Sequence, residues 1–373
     1  MIKRKKFVNV KGKTIFLSVR KLYFILISGI LLISCNQNNV SQNENESKFT
    51  HLKGPYLGQT PPGDVPELFA PGVVADIYRE HHSAAFTPDG KEVFWTRQVD
   101  TMAKEGQRSR LVVAMHMKQV NGVWTQPQLA PFNMDGWTFI TYISPDGKRL
   151  YFDSWRPIEE GAEPQRAAWI VDKTRDGWGE PRLFRALKKW NIKCSKVQET
   201  KSGNIYFQSD LPKPALPNPS WGVGFFRSKL KDGEYQKPEI LDSSINTSSH
   251  LDYAFHIDPN EEFIIFSSDR PGGFSSPDLY ISYRQPDESW SEAINLGEKI
   301  NKKGIDGSDW PYLSPDGKYL FFMTTIRPKN DIDNNQYSYE ELRESQLSIT
   351  NADSKIHWVS TSFVEELKPE HLK

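Results

Sequence analysis

The feature that most constrains this chain is a repeated decapeptide. FTPDGKEVFW (86–95), ISPDGKRLYF (143–152) and LSPDGKYLFF (313–322) each join a Pro-Asp-Gly turn to an apolar run. IDPNEEFIIF (257–266) and ETKSGNIYF (199–207) are degenerate copies. The closing aromatics, Trp95, Phe152, Phe207, Phe266 and Phe322, are spaced by 57, 55, 59 and 56 residues. A second marker, Trp124, Trp178, Tyr235 and Trp290, keeps spacings of 54, 57 and 55. Two markers sharing one period identify a repeat architecture.

Within a repeat, runs of four to seven apolar or alternating residues are separated by turn clusters, the pattern of strands. The fourth repeat reads as strands over LDYAFHI (251–257), EFIIFSS (262–268), DLYISYR (278–284) and SWSEAINL (289–296). Four antiparallel strands in a period near 55 make one blade of a β-propeller. The fold class is therefore all-β, a single propeller with five blades favoured. Six blades stay open if a degenerate one hides in 327–355. The fifth repeat runs out after its third strand, KIHWVSTSF, while PELFAP (66–71) resembles the outer-strand segments PQLAPF, PRLFRA and PEILDS. The N-terminal segment is thus expected to supply the missing strand of the last blade and hide its edge. Helical periodicity is confined to SYEELRESQ, 338–346.

The repeated turn poses a chemical question, because Asp and Gly also build phosphate and calcium loops. Pro suits the second position of a type I turn, Asp tolerates the third, and Gly supplies the positive φ that follows. A phosphate loop needs more glycines and a following helix, whereas a strand follows here. A calcium loop needs several nearby oxygen ligands, and only Asp89, Asp146 and Asp316 recur, one per repeat. The turn reads as scaffold.

The FxPDGKxLYF copies, with SSDRPGG and DLYISYR after one of them, resemble the WD40-like propeller repeats of the TolB type. The resemblance covers about residues 54–368. It implies the fold and leaves function open, because such propellers serve as binding platforms, assembly parts and occasionally enzymes.

The N-terminus has its own character. Residues 1–34 hold eight basic residues and no acid, and LYFILISGILLI (22–33) is too short for a membrane span. The sequence Leu32-Ile33-Ser34-Cys35 resembles the lipobox of bacterial lipoproteins. That resemblance implies a signal peptide over 1–34 and lipidation at Cys35. Asn36 in place of Asp implies an outer-membrane lipoprotein of the bacterial envelope, on its periplasmic or surface face. Residues 35–52 are polar and read as a flexible tether before a propeller at 53–373. Without 1–34 the chain carries 39 basic and 47 acidic residues, which excludes a nucleic-acid stripe. Cys194 then has only Cys35 for company, so no disulfide framework is expected.

Candidate chemistry lies where variable loops meet the channel. Strands b and c are joined by long, irregular loops at 156–166, 211–221, 270–277 and 327–354, on the face opposite the Pro-Asp-Gly turns. Three of them open with Arg-Pro, at Arg156, Arg270 and Arg327, where a guanidinium can meet a carboxylate or pack on a neighbouring strand. The innermost strands begin on the same face with His81, His82, Asp252 and Asp309, beside Thr138, Phe139, Ser195, Tyr253 and Ser308. Such a ring can bind a small polar ligand or simply hold water. No close-spaced pair supports a metal site, and no cofactor is implied. Neither G-x-S-x-G nor H-E-x-x-H occurs. Asp252 and Asp309 can be cast as the paired carboxylates of a glycosidase, without the third anchor such a site needs. The favoured reading is a monomeric, non-catalytic, lipid-anchored module recognising an envelope protein, peptide or glycan, with no catalytic residues assigned. The alternative is a polysaccharide hydrolase or lyase working in the channel. Trp137, Trp155, Trp190, Trp221 and Trp310 fall outside the core positions and are the aromatics available to a carbohydrate.

Overall fold

The computed structural model describes residues 52–102, 108–133, 137–210, 222–247, 249–302, 307–325, 338–351 and 353–373. Residues 1–34, expected as a signal peptide, and Cys35, Arg327 and the 211–221 segment with Trp221 lie outside the described residues. Residues 52–373 form one unit, a five-bladed β-propeller of antiparallel sheets. Strands a, b and c are 138–143, 149–156 and 165–174 in blade 2, and 194–199, 205–210 and 223–228 in blade 3. Blade 4 uses 252–257, 263–268 and 278–283, and blade 5 uses 308–313, 319–325 and 354–360. In blade 1 the long strands 92–102 and 108–120 are b and c, and two short pieces, 79–80 and 85–86, share the inner position.

The repeat ruler is also the register. Trp95 pairs with Met115 and Met115 with Leu129; Phe152 pairs with Trp169 and Trp169 with Leu183. Phe207–Phe226–Ile240 and Phe266–Tyr280–Asn295 continue the series. In blade 5 the row is Phe322–His357–Leu68, so PELFAP closes the ring as the fourth strand. All five ruler aromatics are fully buried. The outer strands pair with strand c in two-residue pieces, two of them in each of blades 1 and 2 and one in each of the others. In blade 4 this is Ile294–Asn295, shorter than the span expected from its sequence. Segment 327–355 adds no sixth blade among the described residues. It carries helix α1 (Tyr339–Leu347), started by a capping box between Ser338 and Glu341, and then the third strand of blade 5.

The Pro-Asp-Gly turns are scaffold in atomic detail. Asp89, Asp146 and Asp316 each accept from the preceding Thr87, Ser144 or Ser314 hydroxyl at 2.6 Å, and from the backbone N–H two residues on. Gly147 has φ of 70°, and its N–H returns to the Ser144 carbonyl. In blade 4 Glu261 takes the glycine place, at φ 64°. A left-handed non-glycine residue costs about 1–2 kcal/mol. Its buried carboxylate offsets this by accepting from Thr200, Ser202, Asn204 and Tyr206 of blade 3 and from Arg284.

Similar carboxylates latch other blades together. Glu92 accepts from Trp178 Nε1 at 2.9 Å and pairs with Lys173, both from blade 2, while His116 donates from its own blade. Glu199 accepts from Arg149 and Tyr151 across the next junction. The closing junction is aromatic instead. Phe69 is fully buried, 5.0 Å from Phe321, 5.3 Å from Trp358 and 5.9 Å from Phe86, centroid to centroid. Phe69→Ala is therefore expected to destabilise the chain by about 3–5 kcal/mol in chemical denaturation. Leu129→Ala, on the solvent-facing outer strand of blade 1, is expected to change stability by about 0.5 kcal/mol or less. Equal effects would show that the closing strand carries no special load.

Candidate functional site

Each innermost strand breaks its ladder near its start. Register shifts fall between Ile140 and Tyr142, Ser195 and Gln198, Tyr253 and Phe255, and Asp309 and Tyr312. Lys196, Ala254 and Trp310 hold φ of 52°, 45° and 54° there, and His82 holds 80° in blade 1. A bulge inserts a residue and re-aims the side chains beside it. Left-handed non-glycine residues gathered around one channel mouth are a concentration of backbone strain of the kind found at functional sites.

Below this mouth the channel is filled. The rings of Tyr142, His256 and Tyr312 meet at 4.8–6.0 Å, and Tyr312 OH accepts from the Ile143 N–H. Burial holds the His256 imidazole neutral, down at about 3. The opening at the Pro-Asp-Gly end is a separate cleft lined by the turn residues.

At the opposite mouth the strained residues converge. His81 and His82 face each other through Nδ1 atoms 3.3 Å apart, and both rings contact Phe139 and Trp310. Burial, reinforced by the charges of Arg79, Lys196 and Arg166, pushes His81 down to about 4. His82 is lowered by burial as well, so both imidazoles are neutral at pH 7. Lys196 lies 4.5 Å over the Trp310 ring. Among the described residues its Nζ forms no hydrogen bond and no ion pair. Burial, and then Arg166, lower its ammonium to about 7, against the pull of Asp153 and Asp309. Asp309 accepts from Tyr253 OH at 3.3 Å, and loss of hydration raises its carboxyl to about 7. Tyr253 and Lys196 stand beside Trp310, so the polar group and the aromatic wall form one site.

Other sequence candidates have structural partners. The Asp252 carboxylate accepts from Ser268, Arg270, and the Thr247 N–H and hydroxyl, which leaves it no role as the partner of Asp309 in a two-carboxylate site. Arg270 also donates to the Ser244 and Ile245 carbonyls and lies over the Phe266 and Tyr280 rings. Arg156 donates to Ser154 and Thr138 and lies over Phe152 and Trp169. Both guanidiniums thus have partners within the fold, and those of Arg270 include the connection that leads from blade 3 into blade 4. Asp153 is held by Arg166 and by the Lys196 N–H. Among the described residues no three His, Cys, Asp or Glu side chains gather as a metal site.

The aromatics beyond the core complete the mouth. Trp137 and Trp155, 41% and 47% exposed, stand 6.3 Å apart, the first just before strand a of blade 2 and the second near the end of its strand b. Trp137 is edge-on to Phe139 at 5.9 Å, and Phe139 reaches the His81 ring at 4.9 Å. An aromatic path thus runs from solvent through Trp155, Trp137, Phe139 and the histidines to Trp310.

No family model matches this chain, and no curated protein does. Solved structures align with it at low identity. A Pseudomonas aeruginosa periplasmic gluconolactonase is 12% identical over 65% of this chain and 64% of its own, with a TM-score of 0.36. A GH43_12 protein from a capybara gut metagenome is 11% identical over 81% and 54%, at 0.42. An unknown-function protein from Dyadobacter fermentans is 8% identical over 74% of each chain, at 0.39. The chain thus spans less than two thirds of the first two. Likeness at this level says nothing of chemistry, which rests on the site itself.

Asp309 makes the electrostatics testable. The folded chain keeps this proton to about 7, above the ordinary carboxylate value, so its contribution to stability falls as pH rises toward 7. Asp309→Asn is expected to raise the melting temperature at pH 8 and to leave it nearly unchanged at pH 4. An equal shift at both pH values would contradict a proton held by burial.

Proposed function

We propose that this chain is a ligand-binding propeller that receives a saccharide at the channel mouth opposite the Pro-Asp-Gly turns. The observation that carries this is the aromatic path from exposed Trp137 and Trp155 to Trp310, ending on Lys196, Asp309 and Tyr253. Sugar rings present apolar C–H faces that pack on indoles, and their hydroxyls need a few placed donors and acceptors. An aromatic-lined concavity with convergent polar groups suits both demands. The Lys196, Arg166 and Arg79 charges near the mouth favour a saccharide bearing a carboxylate.

The WD40-like, TolB-type repeat and the Cys35 lipobox belong to the same reading. They make the chain an envelope lipoprotein whose tether presents this mouth to extracytoplasmic glycan. Binding is its task in this account. Among the described residues, the carboxylates nearest Asp309 in the channel, Asp252 and Asp153, are taken up by internal partners, which favours binding over hydrolysis by two opposed carboxylates.

The test is a glycan array followed by calorimetry on any hit. Trp137→Ala with Trp155→Ala is expected to weaken binding about tenfold, in line with about 0.5–1.5 kcal/mol per aromatic contact. A glycan whose binding ignores both changes, or tight binding to a protein or peptide alone, would contradict the proposal.

A further inference from the structure

One rung of the channel is left with polar atoms that the fold does not pair. Three residues before the turn proline the innermost strands carry Ala85, Tyr142, Gln198, His256 and Tyr312, with Lys201 in the proline place in blade 3. The register makes these positions equivalent. Each pairs with the residue just before a ruler aromatic: Phe94, Tyr151, Tyr206, Ile265 and Phe321. All are buried. Gln198 is paired at both ends of its amide, donating to the Phe255 carbonyl and accepting from the Ile257 N–H. His256 is not. Its Nδ1 is sealed in the fold without a partner, and its Nε2 makes no hydrogen bond among the described residues. Tyr142 O–H makes none either, and Tyr312, whose oxygen accepts from the Ile143 N–H, has no acceptor for its own proton. Leaving buried donors unpaired is expensive, and Phe at these places would keep the ring without that cost.

The three rings floor the cleft at the Pro-Asp-Gly end, whose volume is about 200 Å³. That is room for a molecule of one or two rings, since an apolar cavity of about 150 Å³ takes benzene. The cleft wall is the next rung: Pro88, Pro145, Pro259 and Pro315, with Lys201 as the fifth member. The repeat breaks on one side only. Lys201 replaces a proline, and Asp258 stands where the other blades have Thr87, Ser144, Thr200 and Ser314. Lys201 Nζ donates to Asn260 Oδ1 at 2.9 Å, so this side is polar and the rest is ring carbon.

We propose that this cleft is a second ligand site, which takes a small, flat, uncharged ring molecule whose carbonyl or carboxamide oxygen accepts from His256 and Tyr142. Proline and tyrosine rings offer flat apolar faces to such a molecule. The floor decides its polar end. A buried N–H without an acceptor is rarer than a bare lone pair, so Nδ1 keeps the lone pair and Nε2 carries the proton. With the Tyr142 and Tyr312 hydroxyls the floor then offers donors. Burial keeps the imidazole neutral, and Asp258 and Asp316 line the cleft against the single charge of Lys201. An anion therefore finds no counter-charge at the floor, whereas a neutral acceptor satisfies the donors there. This site stands apart from the saccharide reading and survives its failure.

The experiment titrates the full chain with three neutral ring amides, benzamide, nicotinamide and uracil, and with benzoate and glucose as contrasts. Affinity is read by calorimetry and the site by NMR of the His256 imidazole. At least one amide is expected to bind saturably and shift the His256 signals, while the Trp137 and Trp155 indole signals stay in place. His256→Phe and Tyr142→Phe, which keep the rings, are each expected to weaken that binding about five- to tenfold, the size of one hydrogen bond. Their melting temperatures are expected to hold or rise, because each change removes an unpaired buried group. Binding of none of the amides, or tighter binding of benzoate or glucose, would overturn the proposal on the wild-type chain alone. So would variants that lose stability but keep their affinity, since the polar atoms would then be structural.

Discussion

The structure depends on one strand that comes from the wrong end of the chain. Glu67–Leu68 pairs with Ser354–Ser360, and Phe69 then inserts among Phe86, Phe321 and Trp358. Gln59 braces the turn by donating to the Leu68 carbonyl and accepting from the Ala70 N–H. Ahead of it, Lys53 bridges to Val123 of blade 1. The same short segment therefore touches both blades at the seam. Only a closed ring fixes five inner strands around a common channel, and only then do residues from all five blades meet at one mouth.

Much of this was legible in the sequence, because a ring repeats its physics. The period, the scaffold role of Pro-Asp-Gly and the closing strand all follow from local turn chemistry and alternation, which each blade states again. Strands of blade 4 expected at 251–257, 262–268 and 278–284 occur at 252–257, 263–268 and 278–283. His82 and Asp309 stand six residues before the turn proline of their repeats, with His81 one earlier, and Ser195 holds that place before Lys201 in blade 3. There, however, the structure turns Lys196 toward the mouth. The reason is the bulge. One inserted residue shifts the facing of a strand, and nothing in the spacing of Cys194 to Glu199 announces it. Arg156, Arg270 and Asp252 are visible as charges near the mouth, but their partners within and beside their blades depend on packing that no linear motif encodes.

The site also illustrates how one environment sets opposite charges against each other. The same loss of hydration that disfavours a protonated Lys196 disfavours an ionised Asp309, and each is only partly rescued by the other. Elsewhere in the ring the balance is decided by donors. Glu92 is half-buried and Glu261 buried, yet their hydrogen bonds hold both at about 2. The latches at Glu92 and Glu261 are charged and satisfied, whereas burial raises the Glu199 carboxyl; the channel mouth is close to neutral and poised. That division separates the residues that hold the propeller from those available to a ligand.

The most direct test of this account follows the tryptophan indole N–H resonances by NMR while oligosaccharides, including acidic ones, are titrated into the chain. The account predicts that Trp155, Trp137 and Trp310 shift together and saturably, while the buried Trp124 and Trp358 stay in place. Shifts confined to Trp124, Trp178 and Trp290, on the Pro-Asp-Gly side of the ring, would place the ligand at the other end and contradict it.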